Sequence, residues 1–292
     1  MSLDTGSCTV RCRSLAGMSA SSGGLSVIEA LILGVVEGVT EYLPVSSTGH
    51  LLVLGELLGI GDGAEAALDT FSIAIQFGAI LAVLLLYRSR VGSVARGVVG
   101  RDAAGRDIAA RVLAAFLPAA VVGLLAGDRL KDALFGPVPV AIAWALGGVF
   151  LLIWKPRTGT VDLEHMTIRM AALVGVAQVA ALWPGVSRSL VTLVAALAIG
   201  LSLSAAVEFS FILGVVTLSA ATALDLVRNG QEMIDAFGVA VPLVGLATAF
   251  VTAILAIRWM VTWLETRSLR LFGWWRLGAA ATASVLLATG VL

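Results

Sequence analysis

Glu37, Glu41, His50 and Arg188 stand inside strongly apolar parts of the sequence, where ionisable side chains are rare. Turning such a group toward lipid at the bilayer centre costs about 2.5–3.5 kcal/mol on insertion scales. We therefore expect the four side chains to face a cavity or one another. Carboxylates, an imidazole and a guanidinium grouped in this way suit acid-base chemistry on an anionic substrate.

Glu37 and Glu41 are spaced four residues apart, which places both carboxylates on one face of a helix, where they repel each other. A bound divalent cation or a shared proton relieves this repulsion. The pair is therefore a candidate metal site or proton-transfer pair. The alternative is a structural ion pair between a glutamate and Arg188.

Hydroxyl groups follow the two glutamates. Pro44 is expected to end the first helix, and Ser46, Ser47, Thr48 and His50 begin the next one. Backbone N–H groups and hydroxyls at a helix start can hold an anion, so these serines and the threonine are candidate phosphate ligands and nucleophiles. The alternative for the hydroxyls is helix capping, and His50 taken alone would be a satisfied polar residue.

A similar turn occurs in the second half of the chain, where Pro184 precedes Ser187, Arg188, Ser189 and Thr192. The planar fork of arginine suits phosphate oxygens, although a snorkelling arginine at a helix end is the alternative. Carboxylates, hydroxyls, an arginine clamp and a candidate metal site together indicate phosphoryl transfer.

Composition places these residues in a membrane. Hydrophobic residues make up 59% of the chain, charged residues 13%, and the mean hydropathy is +1.01, which leaves too little polar surface for a soluble globule. We predict an all-α integral membrane protein with about six transmembrane helices. The apolar stretches that predict them are 68–86, 112–126, 138–154, 206–226, 239–263 and 271–292.

Two further apolar segments, 28–43 and 170–183, run into a proline and a serine-rich turn, which predicts broken or re-entrant helices. Shifting the chain by about 141 positions superimposes the two turns. The loop after the first is rich in arginine and the loop after the second is not, which predicts two inverted repeats, about 25–155 and 166–292. Such an arrangement brings both turns to one interface at membrane depth.

The remaining parts of the sequence give coarser expectations. Residues 1–24, with Cys8 and Cys12, are predicted to be a disordered extension, and 25–292 a single membrane domain. Arginine-rich loops at 88–111, 154–169 and 258–276 are placed in the cytoplasm by the positive-inside rule. The zero net charge argues against a nucleic-acid partner. Three polar residues within spans, Gln76, Glu208 and Asp225, are interpreted as structural or as neighbours of the catalytic groups, and not as catalytic. The tryptophans near span ends are interpreted as an interface belt.

Residues 37–50 (Glu-Gly-Val-Thr-Glu-Tyr-Leu-Pro-Val-Ser-Ser-Thr-Gly-His) and 181–189 (Ala-Leu-Trp-Pro-Gly-Val-Ser-Arg-Ser) strongly resemble the two signature motifs of the undecaprenyl-diphosphatases, the bacitracin-resistance phosphatases of bacteria. The resemblance covers nearly everything after residue 24. The chain departs from it at Leu190 and Val191, where smaller residues are usual, and at Ser72, where an acid is common.

The resemblance implies hydrolysis of undecaprenyl diphosphate to the monophosphate carrier lipid of cell-wall synthesis, on the outer face of the inner membrane. It implies a divalent cation, Mg²⁺ or Ca²⁺, held by Glu37 and Glu41. It also implies that Glu37, Glu41, Ser47, His50 and Arg188 line the active site, with either Ser47 or His50 as nucleophile. The expected partners are the lipid diphosphate and membrane lipids, and we allow for a homodimer.

Two rival functions remain open from the sequence alone. Inverted repeats with broken helices are also a transporter architecture, so a transporter or lipid flippase is the main alternative. A structural membrane scaffold is the other, but it does not explain the charges kept inside apolar segments.

Overall fold

The computed structural model describes residues 24–60, 65–155 and 159–292. The predicted disordered extension, with Cys8 and Cys12, lies outside the described residues except for Gly24. The described residues form eleven α-helices: α1 (Val27–Thr40), α2 (Ser47–Leu58), α3 (Glu65–Leu86), α4 (Arg88–Val98), α5 (Ala103–Leu134), α6 (Pro137–Ile153), α7 (Ile168–Gln178), α8 (Arg188–Ala198), α9 (Leu203–Phe237), α10 (Ala240–Thr266) and α11 (Arg270–Ala288).

Five helices are long and apolar enough to cross a bilayer: α3, α5, α9, α10 and α11. The 17-residue α6 is apolar but shorter. Large apolar side chains remain exposed on their outer faces, such as Leu124 and Leu125 on α5 and Leu255 on α10. Such an apolar surface is favourable in contact with lipid and unfavourable in contact with water. The chain is therefore an all-α, multi-pass membrane protein.

Both predicted helix breaks coincide with ends of helices. α1 stops at Thr40 and α2 starts at Ser47, so Pro44 lies in the turn between them. α7 stops at Gln178, a 3-10 turn continues to Leu182, and α8 begins at Arg188 beyond Pro184. Each break frees backbone N–H and C=O groups that need partners inside the protein.

Close helix packing holds the first broken helix in place. α1 lies along α10, and α3 packs against both α9 and α10. At Gly38, a β-carbon would lie 2.3 Å from the carbonyl oxygen of Ala249, so only glycine allows this approach of α1 to α10. The end of α1 is thereby fixed against the second half of the chain.

The positions of the basic loops differ from the prediction. Segment 258–276 is not one loop, because α10 continues to Thr266 and α11 begins at Arg270. Segment 88–111 is also largely helical, because α4 spans Arg88–Val98 and α5 begins at Ala103. Hydropathy marks the part of a helix that faces lipid, whereas the helix itself continues into the headgroup layer with charged residues at its ends.

An ion cluster joins the two halves near the start of α4. Arg90 bonds to Glu208 of α9 at 2.6 Å and to Glu164 at 2.9 Å. The hydrogen bond to Glu208 raises the pKa of Arg90 above its ordinary value. The structural interpretation of Glu208 agrees with this contact.

Candidate active site

The two glutamates lie where α1 ends. Glu37 is in the last turn and Glu41 is the C-cap residue, and both side chains are buried. No basic residue occupies that turn, although the C-terminal end of a helix favours positive charge. The two carboxylates therefore depend on cationic groups from elsewhere in the chain.

Ser47 provides the nearest hydroxyl. Ser46 is the N-cap of α2, with its backbone at a φ of 74°, a region that non-glycine residues rarely adopt. This conformation turns the first residue of α2 back toward the end of α1, and the Ser47 hydroxyl donates a hydrogen bond to Oε2 of Glu41. A buried serine thus has a carboxylate positioned to take its proton.

Arg188 approaches the same carboxylate from the second half. Ser187 caps α8 with a φ of 77°, and the next residue, Arg188, donates from Nη2 to Oε1 of Glu41 at 2.9 Å. Its other terminal nitrogen donates to the carbonyl of Ser210 at 3.3 Å. Because a β-carbon at Gly214 would lie 2.4 Å from Nη1, the guanidinium sits flat against α9. Glu41 therefore bridges Ser47 and Arg188, which are brought together from separate halves.

The remaining hydroxyls of the second turn are buried beside this cluster. Ser189 donates to the carbonyl of Leu43 at 2.8 Å and lies 3.0 Å from the hydroxyl of Ser187. Thr192 shares a 2.6 Å hydrogen bond with Ser210. These contacts tie the second turn to the first turn and to α9, so the hydroxyls have structural partners within the protein.

Two predicted site residues lie apart from the carboxylates. Thr48 is exposed on α2. His50 faces α6 and α11: its Nδ1 lies 2.7 Å from the carbonyl of Ser46, and Trp275 donates to its Nε2 at 3.0 Å. Its ring also packs 4.7 Å from that of Trp144. Both ring nitrogens of His50 are thus engaged, and neither contacts Glu37, Glu41 or Arg188.

Gln76, one of the three polar residues within predicted spans, is a neighbour of the site. Its side-chain amide on α3 donates to Oε2 of Glu41 at 3.3 Å, the same oxygen that accepts from Ser47. The signal in the sequence is a polar residue inside an apolar span, which predicts a structural role or a place beside the catalytic groups but does not identify Glu41 as the partner. Contact with Glu41 makes Gln76 part of the candidate site.

Arg276 is a residue of this region that the sequence does not identify, since segment 258–276 is predicted to be a cytoplasmic loop. It lies in α11 and is fully buried. Nη2 donates to the carbonyls of Ala143 at 2.9 Å and Gly185 at 2.8 Å, and Nη1 to that of Pro44 at 3.4 Å. One guanidinium therefore holds the backbone of both proline turns together.

We expect Arg276→Met to lower the free energy of unfolding by about 3 kcal/mol, because several buried carbonyls lose their donor. Arg276→Lys is expected to recover little of this lost stability, since one ammonium cannot reach both turns. Thermal unfolding of the detergent-solubilised protein measures the effect, and Arg270→Met, at an exposed position of the same helix, is the control. Equal melting temperatures for both methionine variants would contradict this role.

The site offers fewer metal ligands than a site in which the protein supplies the whole coordination shell. Within the described residues no group of three or more His, Cys, Asp or Glu side chains could hold a metal ion. Glu37 Oε1 is buried without a hydrogen-bond partner, whereas Glu41 is engaged by Ser47 and Arg188. Such a set fits a cation that takes one or two carboxylates and completes its shell with substrate phosphates and water, as Mg²⁺ commonly does.

The similarity of this chain to known proteins covers all residues of the candidate site. The family described as "Bacitracin resistance protein BacA" matches residues 30–282. An undecaprenyl-diphosphatase of Sorangium cellulosum is 47% identical over 261 residues, 87% of this chain and 84% of that protein. Undecaprenyl-diphosphatase 1 of Chromobacterium violaceum is 42% identical, covering 86% and 93% respectively. The undecaprenyl-diphosphatase of Rhizorhabdus wittichii is 40% identical, covering 90% and 98%.

Proposed function

Because the chain belongs to the bacitracin resistance protein BacA family, we propose that it hydrolyses undecaprenyl diphosphate to undecaprenyl phosphate and inorganic phosphate. This reaction regenerates the carrier lipid of cell-wall synthesis and gives resistance to bacitracin. The observation that carries the proposal is the buried contact of Glu41 with both Ser47 and Arg188. The proposed nucleophile Ser47, its base Glu41 and the guanidinium of Arg188, which can bind phosphate, thus meet within an apolar protein. A lipid substrate can reach such a site from the bilayer.

In the mechanism that we propose, Ser47 Oγ attacks the terminal phosphorus and Glu41 accepts the hydroxyl proton. The bond between this phosphorus and the bridging oxygen breaks, and undecaprenyl phosphate leaves. Water then hydrolyses the phosphoserine and releases inorganic phosphate. Ser47 is favoured over His50 as nucleophile because it already donates to a carboxylate, whereas both nitrogens of His50 are engaged by Ser46 and Trp275.

The phosphate oxygens would be bound by Arg188 and by backbone N–H groups at the starts of α2 and α8. Both helices begin immediately after a proline turn, and their first N–H groups have no partner within the helix. The hydroxyls of Ser46, Ser187, Ser189 and Thr192 serve chiefly to fix these turns.

We propose a divalent cation at Glu37 and Glu41. Within the described residues, Arg188 is the one cationic side chain that pairs with these glutamates. With both glutamates ionised, the buried cluster would carry an excess negative charge, which disfavours a diphosphate. A bound cation would reverse this imbalance and neutralise charge on the leaving phosphate. Glu37 Oε1, buried and unpartnered, is the free ligand.

Removal of the cation with EDTA is expected to lower phosphate release by about 100-fold or more, and added Mg²⁺ or Ca²⁺ should restore it. Glu37→Gln should raise the cation concentration for half-maximal activity about 10–100-fold. Glu56→Gln, at an exposed position on α2, is the matched control. An unchanged cation requirement in Glu37→Gln would remove that residue from the metal site.

Phosphate release from undecaprenyl diphosphate by the purified protein in detergent tests the function itself. Detergent leaves no second compartment, so a transporter or flippase would release no phosphate. Activity there distinguishes the enzyme from this rival, and absence of activity with intact folding would overturn the proposal.

We also propose six spans, α3, α5, α6, α9, α10 and α11, with the two broken helices entering from opposite sides as inverted repeats. The support is the matching backbone of Ser46 and Ser187, whose φ angles of 74° and 77° are the only positive values at non-glycine residues of the described chain. They lie 141 positions apart.

In this arrangement the site opens to the outer side of the inner membrane, and the start of α4 is cytoplasmic. In a variant with Cys8 and Cys12 replaced by serine, Asp132→Cys should react with an impermeant maleimide in intact spheroplasts. Arg101→Cys should react only after permeabilisation. The reverse pattern would invert the topology.

A further inference from the structure

Tyr42 lies directly after Glu41 and is 1% exposed, so its hydroxyl is held away from both water and lipid. The ring packs edge-on against Phe211 with centroids 5.0 Å apart. The guanidinium carbon of Arg188 lies 5.0 Å from the centroid of the Tyr42 ring. A phenylalanine could make both of these contacts, so they give no reason for a hydroxyl at this position.

The Tyr42 hydroxyl has no hydrogen-bond partner in the described part of the protein. Burying a hydroxyl without a partner costs about 1–3 kcal/mol. Two other buried atoms of the same cluster also lack partners, Nε of Arg188 and Oε1 of Glu37. Tyr42 and Arg188 therefore each have one donor left open, and Glu37 has one acceptor left open.

We propose that the Tyr42 hydroxyl is a further substrate-binding group, which donates a hydrogen bond to a non-bridging phosphate oxygen of the lipid diphosphate beside Arg188. This inference rests on the proposed function. The substrate has the complementary chemistry, since phosphate oxygens accept hydrogen bonds from the tyrosine hydroxyl and from the Nε–H of arginine. A hydrogen bond to a charged acceptor is stronger than one to water, which would offset the cost of burying the hydroxyl.

Tyr42→Phe is the decisive variant because it removes the oxygen alone and leaves the contacts with Phe211 and Arg188. We expect kcat/KM for undecaprenyl diphosphate to fall about 10–100-fold, the range for a lost hydrogen bond to a charged group. The melting temperature should stay the same or rise, because no internal partner is lost. Tyr87→Phe is the control, since the Tyr87 ring also packs edge-on against Phe211, with centroids 5.6 Å apart; it should retain wild-type kinetics.

A binding measurement separates this inference from the proposed function. Inorganic diphosphate should raise the melting temperature of the wild type and of Tyr87→Phe more than that of Tyr42→Phe, in proportion to affinity. Equal stabilisation of all three proteins, or kinetics of Tyr42→Phe within twofold of wild type, would overturn the inference. If the wild type bound diphosphate but released no phosphate from the lipid, the proposed function would fall, and the binding comparison would still decide the role of Tyr42.

Discussion

Ser47→Ala is expected to lower phosphate release by about 10⁴-fold or more, with an unchanged melting temperature. The large factor follows from removing a nucleophile whose base and phosphate ligands act with it as a unit. Stability should change little because Glu41 keeps its contacts with Arg188 and Gln76 after the serine hydroxyl is lost. Initial rates with undecaprenyl diphosphate in detergent, with saturating cation, measure the effect.

His50→Ala and Ser284→Ala complete this experiment. The first removes the competing nucleophile, and the second removes a hydroxyl that donates to the carbonyl of Ala280 in its own helix. We expect Ser284→Ala to match the wild type, and His50→Ala to retain far more activity than Ser47→Ala. Trapping of a phosphoserine at residue 47 would identify the intermediate directly. Full activity in Ser47→Ala together with an inactive His50→Ala would assign the nucleophile to the histidine.

The different surroundings of Ser47 and His50 explain why the sequence left both open. They are three residues apart in one helix turn, so spacing alone assigns them similar positions. The outcome depends on what packs around α2. The end of α1 presents the Glu41 carboxylate to Ser47, and Arg188 of α8 bonds to that carboxylate. α6 and α11 instead present Trp144 and Trp275 to His50. Arg188, Trp144 and Trp275 are distant from α2 in sequence, and no local pattern specifies their contacts.

The helix breaks and the meeting of Glu41 with Arg188 could be predicted, because each follows from a strong local constraint or from the repeat. Proline lacks the backbone N–H that a helix interior uses and therefore favours a helix break, and an unpaired charge at membrane depth is too costly to face lipid. Arg276 could not be assigned in the same way. Its neighbours Trp274 and Trp275 are exposed and the helix start is basic, so the sequence around it indicates a membrane interface. Only the packed structure places its guanidinium between the two turns.

Arg188→Lys is expected to lower kcat/KM by about 10²–10³-fold while leaving the protein folded. Lysine keeps the positive charge that Glu41 requires, but one ammonium cannot contact Glu41 and the carbonyl of Ser210 and also offer a free N–H to phosphate. Arg169→Lys, at an exposed position in the first turn of α7, is the matched control and should have wild-type rates.

Arg188→Gln separates binding of substrate from support of the fold. It leaves Glu41 buried without its cationic partner, which costs about 3–5 kcal/mol for a buried ion pair. Thermal unfolding should therefore show a marked loss of stability for Arg188→Gln and little for Arg188→Lys, although both are poor enzymes. Glu41→Gln combined with Arg188→Gln should recover much of the stability and none of the activity, because the buried charges are then removed together. If the lysine variant were instead as active as the wild type, Arg188 would serve the site only as a charge. The simultaneous contacts with Glu41, Ser210 and phosphate that we assign to its guanidinium would then be wrong.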